Sequence, residues 1–212
     1  MVLIYLVRHG ETAHNRDGIG LGRSDVPLTD HGRAQAAAVG SRFANVLVER
    51  VFSSPLSRAK TVADALAGQS GLVPIVHEAL LEMDVGETEG LAFPEMRQRY
   101  PTFLSEWASQ SGHRVQMPGG ESIEDVARRL APFVEILRTL DATSVAVVSH
   151  NFVLRVVLCD LMGVGPAAFR SFTVDLASVS AVSIDRGRVS LHYLNDRCHL
   201  ADLNVDPHQV SV

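Results

Sequence analysis

Arg8 and His9 close an uninterrupted apolar run, Val2 to Val7, and Gly10 and Glu11 follow at once in the stretch LVRHGETAHN. A buried strand does not normally end in four such residues. Far along the chain, VVSHN (Val147 to Asn151) sets His150 after a second apolar run in the same manner. Two histidines at the carboxyl ends of buried strands stand where open α/β sheets bind ligands, and they could face each other across one of them. The helix expected after His150 would also offer its first N–H groups, near Asn151 and Phe152, to an anion. A phosphate dianion taken out of water needs several charge-assisted donors, forked guanidinium groups above all. Arg8 adjoins His9, and Arg58 stands in SSPLSRAKT (Ser53 to Thr61) at the start of a helix after a short strand. A leaving group needs a proton donor, and Glu82 in LLEMDVGETEG ends a short extended segment after Leu80 and Leu81.

These residues are only useful if the elements between them bring them together. Val2 to Val7 reads as a strand covered on both faces. Thr29 caps a helix with apolar or small residues recurring through Gln35, Ala38, Val39, Phe43 and Val46. A strand at Arg50 to Ser53 precedes Pro55, which suits the first turn of a helix reaching Ala67. Val73 to His77 reads as a strand. Phe93 to Gln110 predicts short helices interrupted by Pro94 and Pro101, and Ser109 to Gly120 an exposed loop; residues 85–120 are expected as a lid insertion. Ser122 with Asp125 marks a capping-box start, with Ile123, Val126, Leu130, Val134 and Leu137 on one face and Pro132 expected to bend or split the helix. Ser144 to Val148 is a second buried strand, followed by a helix from Phe152 to Met162. Val179 to Ile184 and Val189 to Leu194, joined at Asp185 to Gly187, form a closing hairpin. Alternating strands and helices of this kind predict an α/β fold of three layers, α/β/α, with a mostly parallel central sheet and an antiparallel edge strand.

Length and composition set the bounds. A chain of 212 residues with 46% hydrophobic and 20% charged residues is ordinary for one α/β domain, taken as 1–212, with a core of its own. A formal net charge of -5 argues against a nucleic-acid or anionic-membrane partner, both of which need a basic footprint, so any anion must be held by a local pocket. Cys159 and Cys198 form no CxxC pair, which suits a reducing compartment and predicts a cytoplasmic protein. The apolar start is too short for a signal peptide, and no run approaches a membrane span, so the mature chain is expected to begin at or near Met1. A homodimer remains open.

Other motifs carry less. GIGLG (Gly18 to Gly22) follows no strand directly and lacks GxGxxG spacing; a mobile loop over the site is the better reading than a dinucleotide cradle, which also disfavours an oxidoreductase. His14, His31, His77, His113, His192, His199 and His208 show no HxxxH or HExxH spacing, so each reads as a surface or packing residue and no metal site is expected. Asp25 and Thr29 suit a turn and a cap, and Cys159 an apolar helix face.

RHGET (Arg8 to Thr12), Asn15, DVPLTDHGRAQA from Asp25, SSPLSRA from Ser53, LLEMDVGETEG from Leu80, PGGES from Pro118 and VVSHN from Val147 resemble, in order, the histidine phosphatase superfamily, also called phosphoglycerate mutase-like. A lone RHG would carry little; ordered segments across most of the chain carry the resemblance. It implies a phosphoglycerate mutase-like fold and a phosphohistidine mechanism. His9 is then the nucleophile, Arg8, Arg58 and His150 surround the phosphoryl group, and Glu82 is general acid and base. Asn15, Gly22 and Asn151 are expected at the phosphate, and Glu11 only braces the turn.

Elementary chemistry agrees with these roles. Attack on phosphorus needs a neutral imidazole, which neighbouring guanidinium groups favour. Glu82 must be protonated to release the leaving oxygen, and its carboxylate can then accept a proton from water. Stabilising the equatorial oxygens is positioning and electrostatics, with neither metal nor cofactor required. The expected substrate is a small phosphomonoester. A cofactor-dependent phosphoglycerate mutase is the alternative enzyme, although the chain lacks the longer insertions of the family's mutases. A non-catalytic phosphate-ligand binder is a further alternative, disfavoured because a binder needs neither His9 nor Glu82. His14, Ile19, Leu21 and Thr88 depart from residues frequent in the related phosphatases and predict a pocket that is less polar on one side. Arg97, Arg99, Tyr100 and Arg114 could reach it from the middle segment.

Overall fold

The computed structural model describes residues 1–203; His208 lies outside them. In chain order the main elements are β1 (Val2–Arg8), α1 (Ala13–Arg16), α2 (Asp30–Phe43), β2 (Arg50–Ser53), α3 (Ser57–Gly68), β3 (Ile75–Val76), α4 (Phe93–Arg99), α5 (Pro101–Trp107), α6 (Ile123–Thr139), β4 (Ser144–Ser149), α7 (Asn151–Leu161), β5 (Val179–Asp185) and β6 (Arg188–Asp196). The strands form one mixed sheet in the order β3-β2-β4-β1-β5-β6. β1, β4, β2 and β3 pair in parallel, whereas β5 is antiparallel to both β1 and β6. The reversed strand is thus β5, one place in from the edge that β6 forms.

The alternation of side chains along the strands divides the core into two halves. Ile4, Leu6, Val145 and Val147 point to the face covered by α6 and α7, while Val7, Ala146 and Val148 point to the face covered by α2 and α3. Both faces are buried, which is why these strands read as continuous apolar runs. The β1–β4 register pairs Arg8 with Ser149, so the residues that follow, His9 and His150, leave the sheet side by side.

Local chemistry sets the helix starts. Ser122 and Asp125 make a reciprocal capping box on α6, and Thr29 accepts the Gly32 N–H to start α2. Pro132 does not split α6, which runs through from Ile123 to Thr139 with the proline on its exposed side. The carbonyl it leaves without an N–H can therefore be met by water. α3 begins at Ser57, so Pro55 precedes the helix and does not sit in its first turn. The strand expected from Val73 shrinks to Ile75–Val76, because only Phe52 and Ser53 pair with it.

The middle of the chain differs most from expectation. Residues 109–120 form a loop that is exposed only in part: Ser109 to Ser111, Arg114, Gln116 and Gly119 are exposed, but Met117 is buried in the core and Gly112 against the Trp107 carbonyl, where a Cβ would come within 1.9 Å. The Gly18 to Gly22 loop is laced down as well. Gly20 donates to the Leu91 carbonyl at 2.9 Å and accepts from Gly90 at 2.9 Å, and Glu89 Oε1 accepts the N–H groups of Gly22 and Ser24. Among the described residues no helix is long and apolar enough to cross a membrane.

Candidate active site

Three parallel strands and the start of β5 deliver the site. His9 follows β1, His150 follows β4, and Ser54 follows β2, its N–H bonded to the Val148 carbonyl at 3.0 Å. The loop into β5 closes the other side: Arg8 N–H donates to the Ser178 carbonyl, and the Ala177 N–H donates to the His9 carbonyl at 2.9 Å. Ala177 accomplishes this at φ +54°, a left-handed conformation costly for alanine, which marks a backbone held by its surroundings.

The two imidazole rings stand 5.1 Å apart, centroid to centroid, tilted by 57°. Their hydrogen bonds assign opposite tautomers. His9 Nδ1 lies 2.7 Å from the Gly10 carbonyl, which can only accept, so the proton is on Nδ1 and the Nε2 lone pair is left for chemistry. Arg58 Nε donates to His150 Nδ1 at 3.3 Å, so His150 carries its proton on Nε2 and donates it to Ser54 Oγ at 2.7 Å. Burial, then the charges of Arg58 and Arg8, hold His9 well below the usual histidine range, and burial acts first on His150 too. Both rings are therefore neutral at physiological pH. The guanidinium effect expected from the sequence is present, but burial is the larger cause.

Arg58 is wholly buried. Besides His150, it donates through Nη1 to the Ser24 carbonyl and through Nη2 to the Gly22 carbonyl, each at 2.7 Å. Gly22 thus serves here as a brace for Arg58, its N–H being spent on Glu89, and does not present that N–H to a phosphate. Arg8 is anchored by Nη1 on the Val174 carbonyl at 2.7 Å; burial lowers its pKa to about 10, so it stays cationic.

Glu82 is 4% exposed and follows the 3-10 turn Glu78–Leu80. Its Oε1 accepts the Met83 N–H at 2.8 Å and its Oε2 the Phe152 N–H at 3.4 Å. The N–H at the start of α7, expected to meet a ligand anion, is turned to this carboxyl instead. Burial raises the Glu82 pKa against the pull of those N–H groups and of Arg58 and Arg8. The acid is thereby biased towards its protonated form, as a proton donor requires.

The remaining expected residues are placed as follows. Asn15 spends its amide oxygen on the Thr12 N–H and hydroxyl, a capping box for α1, which leaves its NH2 as the donating group. Asn151 is buried at the start of α7 with Oδ1 unpaired. Glu11 accepts the Thr29 hydroxyl at 2.6 Å and braces the turn. Thr88 is buried, its hydroxyl bonded to the Val85 carbonyl. The polar side chains expected from the middle segment do not converge on the site. Arg97 lies over Phe93, Arg99 pairs with Glu95, Tyr100 donates to Glu87, and Arg114 pairs with Glu124, all at the surface. Short helices with their own acidic partners nearby satisfy these groups locally.

Two arginines that sequence reasoning passed over matter here. Arg129 of α6 donates to the carbonyls of Ala79, Leu81 and Glu82 and pairs with Glu121, fixing the segment that carries Glu82. Arg155 of α7 is buried near Glu82 and Asp175. Neither stands in a motif; an arginine on the buried side of an apolar helix was the only available signal. Among the described residues no cluster of three or more His, Cys, Asp or Glu could hold a metal ion.

Residues 4–197 match the histidine phosphatase superfamily, branch 1. The chain belongs to this family. Among its relatives is phosphoserine phosphatase 1 of Hydrogenobacter thermophilus, 32% identical over 99% of each chain. A Klebsiella pneumoniae protein named a probable phosphoglycerate mutase is 31% identical over 86% of this chain and 85% of its own. Among solved histidine phosphatase structures, the alpha-ribazole phosphatase from Shigella flexneri superposes with a TM-score of 0.84 at 27% identity, covering 92% of this chain and 96% of that one. A mycobacterial glucosyl-3-phosphoglycerate phosphatase does so with a TM-score of 0.84 at 25% identity, over 92% and 99%. The family sheet, six strands with helices on both sides, is the fold described above.

Proposed function

We propose that this chain is a phosphomonoesterase that hydrolyses a small phosphorylated metabolite, without a metal ion, through a phosphohistidine on His9. The observation that carries the reading is the pairing of a His9 tautomer whose Nε2 lone pair is available with a buried carboxyl, Glu82, whose pKa is raised. Relatives named phosphatases over nearly their whole length support hydrolysis over isomerisation.

In the first step His9 Nε2 attacks phosphorus as the bond to the leaving oxygen breaks, and Glu82 gives that oxygen its proton. Arg8 and Arg58 meet the charge on the equatorial oxygens as cations, and neutral His150 reaches them with its Nε2–H by releasing Ser54 Oγ. In the second step water attacks the phosphohistidine, Glu82 takes the water proton, and His9 and inorganic phosphate are released. In this reading residues 85–120 serve as the cover of the site, a role supported by their hydrogen bonds to the Gly18 to Gly22 loop and, through the Trp107 carbonyl, to Arg170.

The test is release of phosphate from 4-nitrophenyl phosphate and from small phosphorylated metabolites in excess chelator, together with trapping of an acid-labile phosphoenzyme. Turnover in chelator and loss of the trapped label in His9→Ala are expected. Absence of any turnover sinks the reading, and a label that persists in His9→Ala moves the nucleophile elsewhere. Isomerisation of 3-phosphoglycerate with catalytic bisphosphate and no net phosphate release would replace it with the mutase.

A further inference from the structure

Among the described residues three arginines are buried, and they are not equivalent. Arg8 and Arg58 each hold backbone carbonyls, but Arg155, 8% exposed, takes part in no hydrogen bond or ion pair among the described residues, and its Nε is sealed from solvent without a partner. Its Nη groups keep a narrow contact with solvent, but a guanidinium so far withdrawn from water with no protein partner is unfavourable, and folded chains rarely retain one without a use for it.

Its position says what the use is. Arg155 lies one turn into α7, three residues after Phe152, whose N–H holds Glu82 Oε2. Side chains on a helix lean towards its N-terminus, so the guanidinium points back to the sheet edge where the site is built. Among ionisable groups, the charges that Arg155 feels most are those of Glu82, then Asp175, then Arg170, and Arg8 in turn feels Arg155. Because the same turn of α7 holds the Glu82 carboxyl through the Phe152 N–H, Arg155 lies on the proton-donor side of the site, where the leaving group departs. The local anions do not pair with it: Glu82 is biased to its neutral form, and Asp175 turns Oδ2 to Arg197 at 3.0 Å and Asn195 at 2.9 Å while its buried Oδ1 makes no hydrogen bond, to Arg155 or to any other described group. Arg170, another cation nearby, is committed to the Trp107 carbonyl and lies over Phe169.

We infer that Arg155 is a specificity residue that receives a carboxylate on the leaving group, so that the preferred substrates are phosphomonoesters bearing a carboxylate a few atoms from phosphorus. A single planar guanidinium with unspent parallel N–H groups matches a carboxylate fork. This inference rests on the phosphatase reading above, and the experiment separates the two.

Steady-state kinetics are measured on two matched pairs, O-phosphoserine with O-phosphoethanolamine and 3-phosphoglycerate with glycerol 3-phosphate, with 4-nitrophenyl phosphate as a common reference. The wild type favours at least one carboxylate-bearing member over its counterpart. In Arg155→Met the ratio of kcat/KM within that pair falls about 30-fold, mostly through KM, as for a lost charge-assisted hydrogen bond. Arg155→Lys recovers part of it. Because each ratio is taken within one preparation, a partly folded variant does not alter it. A wild type that turns over the aryl phosphate but discriminates within neither pair overturns the inference and leaves the phosphatase standing. A ratio that moves less than threefold in Arg155→Met also overturns it, since a purely structural arginine lowers both members alike. A wild type inert towards every ester removes the phosphatase reading itself.

Discussion

Replacing Glu82 by Gln keeps the shape of the side chain and the acceptor for the Met83 N–H, but removes the proton that the leaving oxygen is to receive. The expected loss depends on that oxygen. An alkoxide leaving group cannot depart unprotonated near neutrality, and general acid catalysis contributes about 10²- to 10⁴-fold, so phosphoryl transfer from an alkyl phosphate to His9 should slow by about 10³, or ~4 kcal/mol in the barrier. 4-Nitrophenolate is a far weaker base, and the same step with the aryl ester should lose less than about tenfold. Hydrolysis of the phosphohistidine still lacks its base, so the variant should release a burst of about one nitrophenol per site and then stall. Quenched-flow measurement of the first turnover with both esters checks this. The pH profile gives an independent reading: burial raises the Glu82 pKa, so the proton donor is present below that raised value and lost as pH climbs through it. The alkaline limb seen in the wild type should be absent from Glu82→Gln. Equal slowing of the first step for alkyl and aryl esters, or an alkyl loss under about tenfold, would refute the assignment.

Three further outcomes follow from the packing. Burial holds His9 and His150 below the ordinary histidine range, so each is protonated more readily unfolded than folded; the stability this gives is present above about pH 6.5 and is lost as pH falls towards the folded values. Between pH 6.5 and 5.5 the loss is about 1 kcal/mol per histidine. Glu82, raised in the folded state, opposes it by binding a proton on acidification, so urea unfolding is best followed in Glu82→Gln; stability that stays level or rises at pH 5.5 would refute the argument. Gly10→Ala sets a Cβ 2.6 Å from the Gly32 carbonyl of α2 and should destabilise the fold by about 1–3 kcal/mol while lowering kcat, since the backbone that moves carries the His9 Nδ1 acceptor; unchanged Tm and kcat would show that α2 yields freely. Arg129→Met leaves the carbonyls of Ala79, Leu81 and Glu82 without their donor, and a loss of about 2–4 kcal/mol in urea unfolding is expected, with none if water replaces the guanidinium fully.

Much of the frame was legible because periodicity reports burial. β1 and β4 are buried on both faces and read as apolar runs, and the buried stripe of α6 and the capping residues Thr29 and Ser122 mark their helices in a few adjacent residues. Errors gathered where local pattern says little about surroundings. Pro132 looked like a break, yet it stands on the exposed side of α6. Residues 109–120 looked polar and exposed, and half of them are, yet Met117 is packed into the core by partners far away in sequence and Gly112 lies between Trp107 and Arg170. The Gly18 to Gly22 loop looked mobile because nothing in five residues reveals that Glu89 and Leu91 will bond it.

Which groups the site could draw on was already written in the order and type of the residues. The order of the RHG, SSPLSRA, LLEMDVGETEG and VVSHN segments carries the family, and the types of His9, Arg58, Glu82 and His150 carry the chemistry open to it, because side-chain identity is a local property. Only the tertiary structure decided their states. The tautomers of His9 and His150 depend on the Gly10 carbonyl and on Arg58, and the proton bias of Glu82 depends on burial beneath α7. The unspent charge of Arg155 depends on which acids and carbonyls came within its reach. Protonation and pairing are set by what surrounds a group within a few ångströms, and those neighbours come from strands and helices that the chain brings together from far apart.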